Sequence, residues 1–134
     1  MSFEPPDQES ADLLALAQSV AAKANAGEQV EAFVERSSYT TVRAHGGEVE
    51  SFTSAVSAGI GIRVVSDHRQ GFAWAGTLEA DAIADALAEA RDNAPFAEPD
   101  EWVGLAEPDG IVPVPFDAFD PSVASMPASQ KIDL

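Results

Sequence analysis

The chain has 134 residues, of which 46% are hydrophobic, so it is long enough to bury one core. Its 23 acidic and 7 basic residues give a net charge of −16. A surface this acidic repels phosphate, which argues against nucleic acid or an anionic membrane as a direct partner and favours a basic one; the plainer reading is a strongly solvated surface. Cysteine is absent, which removes disulfides, thiolate metal sites and a cysteine nucleophile.

The first residues, Met1 to Asp7, have neither a basic segment nor an apolar run of the kind that opens a signal peptide. No apolar run approaches the roughly 18 residues of a membrane span. A soluble cytoplasmic protein is the expectation, with residues 1–9 a flexible start. Ser10 can cap a helix over 11–25, with Asp12 in its first turn facing the positive end of the dipole. Leu13, Leu14, Leu16, Ala17, Val20, Ala21 and Ala24 supply its apolar stripe, and Gly27 sits where a helix ends in a left-handed turn.

The period then changes from helical to alternating. Val30, Ala32 and Val34 alternate with Glu31, Phe33 and Glu35, predicting a strand. Ser37-Ser38 can turn the chain, and the β-branched run Tyr39 to Ala44 predicts a second strand. His45-Gly46-Gly47 is a hairpin signal, because glycine reaches positive φ without steric cost. Glu48 to Ala55 reads as a third strand and Ser57 to Val65 as a fourth. In the fourth, Ile60, Ile62 and Val64 share one face, while Gly59, Gly61 and Arg63 share the other. Two glycines on one face of a strand point to close approach by another backbone or side chain. Asp67 to Gly71 reads as a turn, and Phe72 to Ala75 as a fifth strand.

Thr77 to Ala94 predicts a second helix, with Ile83, Leu87 and Ala90 on its apolar face and Glu79 and Asp81 near its start. The fold class that closes such a core is α+β: an antiparallel sheet of about five strands with two helices packed on one face, spanning 10–94. Residues 95–134 carry seven of the nine prolines, eight acids and one lysine, and read as an extended connector. Phe96, Trp102, Leu105, Phe116 and Phe119 punctuate it, more aromatics than a disordered linker holds, so it is expected to lie along a surface. Residues 127–134 read as the opening of a helix too short to be stable alone, as if the connector led into a further C-terminal region.

Few residues offer chemistry. His45 and His68 both fall in turns, without the three or four ligands a zinc site needs. No serine stands in a G-x-S-x-G elbow, and Gly59-Ile-Gly61 lies inside a strand pattern with no helix N-terminus after it, unlike a phosphate loop. Glu48/Glu50 and Glu31/Glu35 could be acid/base pairs, but chance pairs are common in so acidic a chain, and solvated strand faces explain them. No catalytic and no metal residue is therefore assigned. The segment 29–76 is nearly neutral, with four arginines against five acids. Arg43, Arg63 and Arg69 are the cations of interest: an arginine on a polar sheet face could clamp a peptide carboxylate or pair within the sheet. Trp74 could contact a ligand, although packing is the weightier expectation for it and for Trp102.

The run Glu31-Ala-Phe-Val-Glu-Arg-Ser-Ser-Tyr-Thr-Thr-Val-Arg43, then Gly47-Glu-Val-Glu-Ser-Phe52, Gly59-Ile-Gly-Ile-Arg-Val-Val65 and Gly71-Phe-Ala-Trp-Ala75, resembles the N-terminal domain of the TldD/PmbA family. Asn93-Ala-Pro-Phe-Ala97 and Gly104-Leu-Ala-Glu-Pro108 extend that resemblance, which covers about residues 10–120. Gly47 to Phe52 looks closer to the PmbA-type branch. The resemblance implies a cytoplasmic family once described as modulators of DNA gyrase and active in proteolysis. It implies a zinc site on an HExxxH motif in the C-terminal part of an active member, a TldD- or PmbA-type partner subunit, and a shared chamber for unfolded peptide. No position of that zinc motif occurs here, so the resemblance carries over no cofactor to this chain. What it implies for this chain is a domain that shapes the chamber and the subunit interface; the reading of the residues themselves offers Arg43, Arg63 and Trp74 as contacts to substrate or partner. The alternative is a non-catalytic interaction or dimerisation module.

Overall fold

The computed structural model describes residues 8–107, 109–112, 114 and 120–133. The described parts of Met1–Ser37 and Ser57–Asp109 form one compact unit, and those of Ser38–Val56 and Gly110–Leu134 a second. Residues 1–7, Phe116 and Phe119, on which parts of the sequence reading fall, lie outside the described residues.

Helix α1 spans Gln8–Ala21, so Ser10 lies inside it and is not its cap. Leu16 packs on the core and Val20 is buried, but Leu14, expected on the stripe, is exposed. The helix gives way to a turn at Ala22, earlier than the apolar pattern implied. The amide of Glu28 then bonds the carbonyl of Asn25 around Gly27, whose φ of 82° supplies the expected left-handed residue.

Among the described residues the sheet has three strands in the order β1-β2-β3, not five. Strand β1 spans Glu28–His45, β2 spans Glu48–Ser66 and β3 spans Arg69–Ala75. The expected break at Ser37-Ser38 does not occur. The Ser37 hydroxyl meets the Ser57 hydroxyl of β2 at 2.9 Å, and pairing with that strand carries β1 through the serine pair. The third and fourth expected strands fuse into β2 for the same reason. The chain reverses only where residues reach positive φ. Gly46 and Gly47 do so between β1 and β2, and Asp67 and His68, at 50° and 60°, between β2 and β3. The second is a two-residue hairpin turn with Ser66 paired to Arg69, so Gly71, expected in a turn, belongs to β3.

In the first unit one face of the sheet is the core. Val30, Ile60, Ile62, Val64 and Ala73 are buried there with Val20 of α1 and with Ile83, Ala86, Leu87 and Ala90 of helix α2 (Ala80–Asn93). The last four recur at i, i+3, i+4 and i+7, one helical stripe. The expected placement of two helices on one face therefore holds. Helix α2 begins three residues later than Thr77, because Leu78 turns inward to pack on the core. A 3-10 turn, Ala94–Phe96, follows it. Gly71 is the point of closest approach: a Cβ there would stand 1.9 Å from the Ala90 carbonyl oxygen and 2.5 Å from the Ala94 nitrogen. The end of α2 can meet β3 only because that side chain is missing.

Two polar ties lock this unit. Arg91 of α2 holds the Glu28 carboxylate through Nε and Nη2, the latter at 3.0 Å, and also donates to the Lys23 carbonyl at 2.7 Å. Burial favours the neutral form of Glu28. The Asn25 amide and the Arg91 guanidinium outweigh it and hold the carboxyl below its ordinary range. Residues 97–105 are tied to the unit as well. The Asp100 amide donates to the His68 carbonyl at 2.8 Å, the Leu105 amide to the Gln29 side chain at 3.0 Å, and Arg69 to the Ala97 carbonyl. Phe96 and Trp102 remain exposed.

The second unit leaves several apolar side chains in water among its polar ones. Tyr39, Val49, Phe52 and Val56 of its hairpin are exposed, as are Ile111, Val112 and Val114. Its two short helices are α3 (Pro121–Ser125), capped by the Asp120 side chain on the Ser122 amide, and α4 (Ala128–Ile132), where the sequence predicted a helix to open.

Candidate functional site

The candidate site is the outer face of the sheet in the first unit, opposite the helices. On β3 the usual division of sizes is inverted. The core side carries Gly71, Ala73 and Ala75, while Phe72 and Trp74 project outward, Trp74 with 71% of its surface exposed. On β1 Phe33 takes a position of the same parity as Glu31 and Glu35 and is 67% exposed. Between the two edge strands, β2 offers this face Gly59, Gly61 and Arg63.

The register builds a trough from these residues. Gly61 pairs with Trp74 and Arg63 with Phe72 across β2 and β3. Arg63 Nε meets Glu31 Oε2 at 2.8 Å, and the hydroxyls of Ser37 and Ser57 meet at 2.9 Å. The two contacts share one offset, so the alternation between them sets Phe33 across from Gly61 and Glu35 across from Gly59. One row therefore reads Phe33-Gly61-Trp74, two aromatic walls over a floor without side chains. A concavity of about 400 Å3 lies along it, lined by Phe33, Glu35, Gly59, Gly61, Trp74 and Gly76 with neighbouring backbone. The floor glycines cannot be replaced freely: a Cβ at Gly59 would stand 2.9 Å from the Ala75 carbonyl, and one at Gly61 3.2 Å from the Phe72 ring.

Of the three residues singled out from sequence, Arg63 and Trp74 share this face, while Arg43 lies on the hairpin of the second unit, exposed. Arg63 is engaged within the sheet, by Glu31 and, at 3.4 Å, by the Gln70 side-chain oxygen. Trp74 and Trp102, expected to pack, are both exposed. Phe33 and Phe72 were not singled out, and Glu35 was weighed only as a chance acid pair with Glu31. The signal was present in β1, where an aromatic shares parity with two glutamates, and in β3, where the small residues alternate with the large ones.

The described residues offer no place for a metal: no group of three His, Cys, Asp or Glu side chains is disposed to hold one. His45 ends β1 in the second unit and His68 sits in the β2–β3 turn of the first. A second concavity, of about 310 Å3, lies beside that turn, but its arginines, Arg69 and Arg91, are already bonded to carbonyls and to Glu28. Among the described residues no helix is long and apolar enough to cross a membrane.

Residues 30–94, the span that carries β1 to α2, match the family model described as PmbA/TldA metallopeptidase domain 1. This chain carries a first domain of the PmbA/TldD family. Its fold is also that of a solved structure, TldE from Thermococcus kodakarensis, with a TM-score of 0.57 and 22% identity over 81% of this chain. The match covers 24% of the TldE chain, so this chain spans about a quarter of that structure's length. No curated protein matches the chain. The metallopeptidase-family domain implied by the sequence resemblance is thus supported by the domain match.

Proposed function

We propose that this domain takes part in the proteolysis of unfolded peptides by a TldD/PmbA-type assembly, contacting peptide or shaping the chamber, while zinc chemistry belongs to residues outside this chain. The observation that carries this reading is the outer sheet face. A solvated face of a strand is ordinarily polar, yet here three aromatics stand out of it around a glycine floor. Such a face suits an extended chain, whose alternate side chains can enter a trough while its backbone lies over the sheet. The edge of β3 is less suited to adding a strand, because Asn93 already donates to the Phe72 carbonyl at 3.0 Å. Peptide contact is therefore assigned to the face, with Trp74 as its main side chain and Arg63 beside it. Arg43, on the exposed hairpin, is proposed as a contact to a TldD- or PmbA-type partner subunit. The acidity of the chain supports protein and peptide partners over nucleic acid or membrane, and the cytoplasmic location is proposed on the family resemblance.

The second reading is a non-catalytic interaction module, favoured by the apolar residues exposed on the second unit. Trp74→Ala and Arg63→Ala in the complete assembly with a TldD-type subunit separate the two. Slower cleavage of an unfolded model peptide with assembly unchanged supports peptide contact. Weakened assembly with unchanged cleavage per assembled complex supports the interaction module.

A further inference from the structure

Two carboxylates flank Phe33 on the outer face of β1, and their situations differ. Glu31 lies across from Arg63 and is paired with it. Glu35 lies across from Gly59, where β2 has no side chain to offer, and among the described residues no ion pair or hydrogen bond engages it. It is also the one charged residue lining the trough. The site thus combines two exposed aromatic walls, a floor of two glycines, and an unpaired carboxylate at its end. Each part recognises a different portion of the same ligand. Aromatic faces attract a cation and cover a methylene stem, and the carboxylate takes the charged head. The net charge of −16 adds a general attraction of the same sign.

We infer that the trough between Phe33 and Trp74 takes a cationic side chain, lysine or arginine, of a peptide, with its stem over Gly59 and Gly61 and its charge on Glu35. The inference rests on the reading that this face contacts peptide, and adds which residue the peptide must present. An apolar side chain would leave Glu35 without a partner beside a desolvated trough, and an acidic one would be repelled by it.

The test is an NMR titration of the 134-residue chain with blocked nine-residue Gly/Ser peptides carrying one central lysine, norleucine or glutamate. The indole N–H of Trp74 reports the trough, and that of Trp102 serves as the reference. The lysine peptide is expected to shift Trp74 and not Trp102, and to bind about fivefold more tightly than the norleucine peptide, a difference that Glu35→Gln abolishes. Equal binding of lysine and norleucine peptides, both moving Trp74, overturns the preference for a cation and leaves peptide contact standing. Lysine binding that leaves Trp74 unmoved, or that is unchanged in Glu35→Gln, is attraction to the acidic surface at large and overturns the proposal. If none of the three peptides moves Trp74, both the inference and the peptide-contact reading fall.

Discussion

The two faces of the same three strands are built on opposite principles. Toward the helices the sheet presents Val30, Ile60, Ile62 and Val64 on two strands and only Gly71, Ala73 and Ala75 on the third, and nearly all are buried. Away from the helices it presents Phe33, Phe72 and Trp74, and each is more than half exposed. Bulk is withheld from β3 where α2 comes within reach of its backbone, and is spent on the side that faces water. The difference shows that the core face is limited by space, while the outer face around Gly59 and Gly61 is open; nearer the β2–β3 turn Val65, of the same parity, is buried. An apolar side chain that contributes little to packing is retained at a cost in solubility, which is why the outer face is assigned to binding.

If space limits the core face, a change as small as one methyl group has a large effect. Gly71→Ala places a methyl group within 1.9 Å of the Ala90 carbonyl, a backbone atom that cannot move without moving α2. We expect a loss of about 3 kcal/mol, at the upper end for overpacking, seen as a lower urea midpoint or as failure to fold. A loss under about 1 kcal/mol would show that α2 is not seated on β3 as described. Next comes Ile62→Ala. Ile62 is fully buried in the centre of the core, and its truncation is expected to destabilise by about 2–5 kcal/mol in the same measurement.

Arg91→Ala is expected to cost about 1–3 kcal/mol, since it leaves the mostly buried Glu28 carboxylate and the Lys23 carbonyl without their donor. Its pH dependence follows from the sign of the Glu28 shift. The folded state holds this carboxyl below its ordinary value of 4.5, so the unfolded chain takes up the proton first as pH falls. The stabilisation is present in full above that value and is lost as pH falls below it toward the folded-state value. The stability gap between the wild type and Glu28→Gln should therefore shrink between about pH 5 and 3, and a gap that stays constant would remove the carboxylate from this account.

The outer face should behave in the opposite way. Trp74→Ala is expected to change stability by less than about 1 kcal/mol, because most of the side chain is already in water. A loss as large as that of Ile62→Ala would mean that Trp74 packs, and would erase the distinction between the faces. The smallest effect is expected at the hairpin of the second unit, where Val56→Ala, at a position 74% exposed, should fall within about 0.5 kcal/mol of wild type.

The sequence by itself determined the local elements. Period 3.6 in the two helices and period 2 in the strands placed both kinds of element within a few residues, and Gly27, Gly46 and Gly47 marked turns that do need positive φ. It also carried the family resemblance, and Gly59 and Gly61 announced that something approaches β2 closely. Tertiary structure alone decided three matters. The number of strands fell from five to three because whether a serine pair turns or continues depends on the partner strand's hydrogen bonds, which local preference does not contain. The side on which each aromatic falls was decided by α2: once Gly71 lies under Ala90, the core has room on β3 only for small side chains, and Phe72 and Trp74 must face out. The pairing of charges was decided by register, which set Arg63 beside Glu31 and left Glu35 beside a glycine. Alternation tells which residues share a face, but only the packed sheet shows which face meets a helix and which residue stands across the strand.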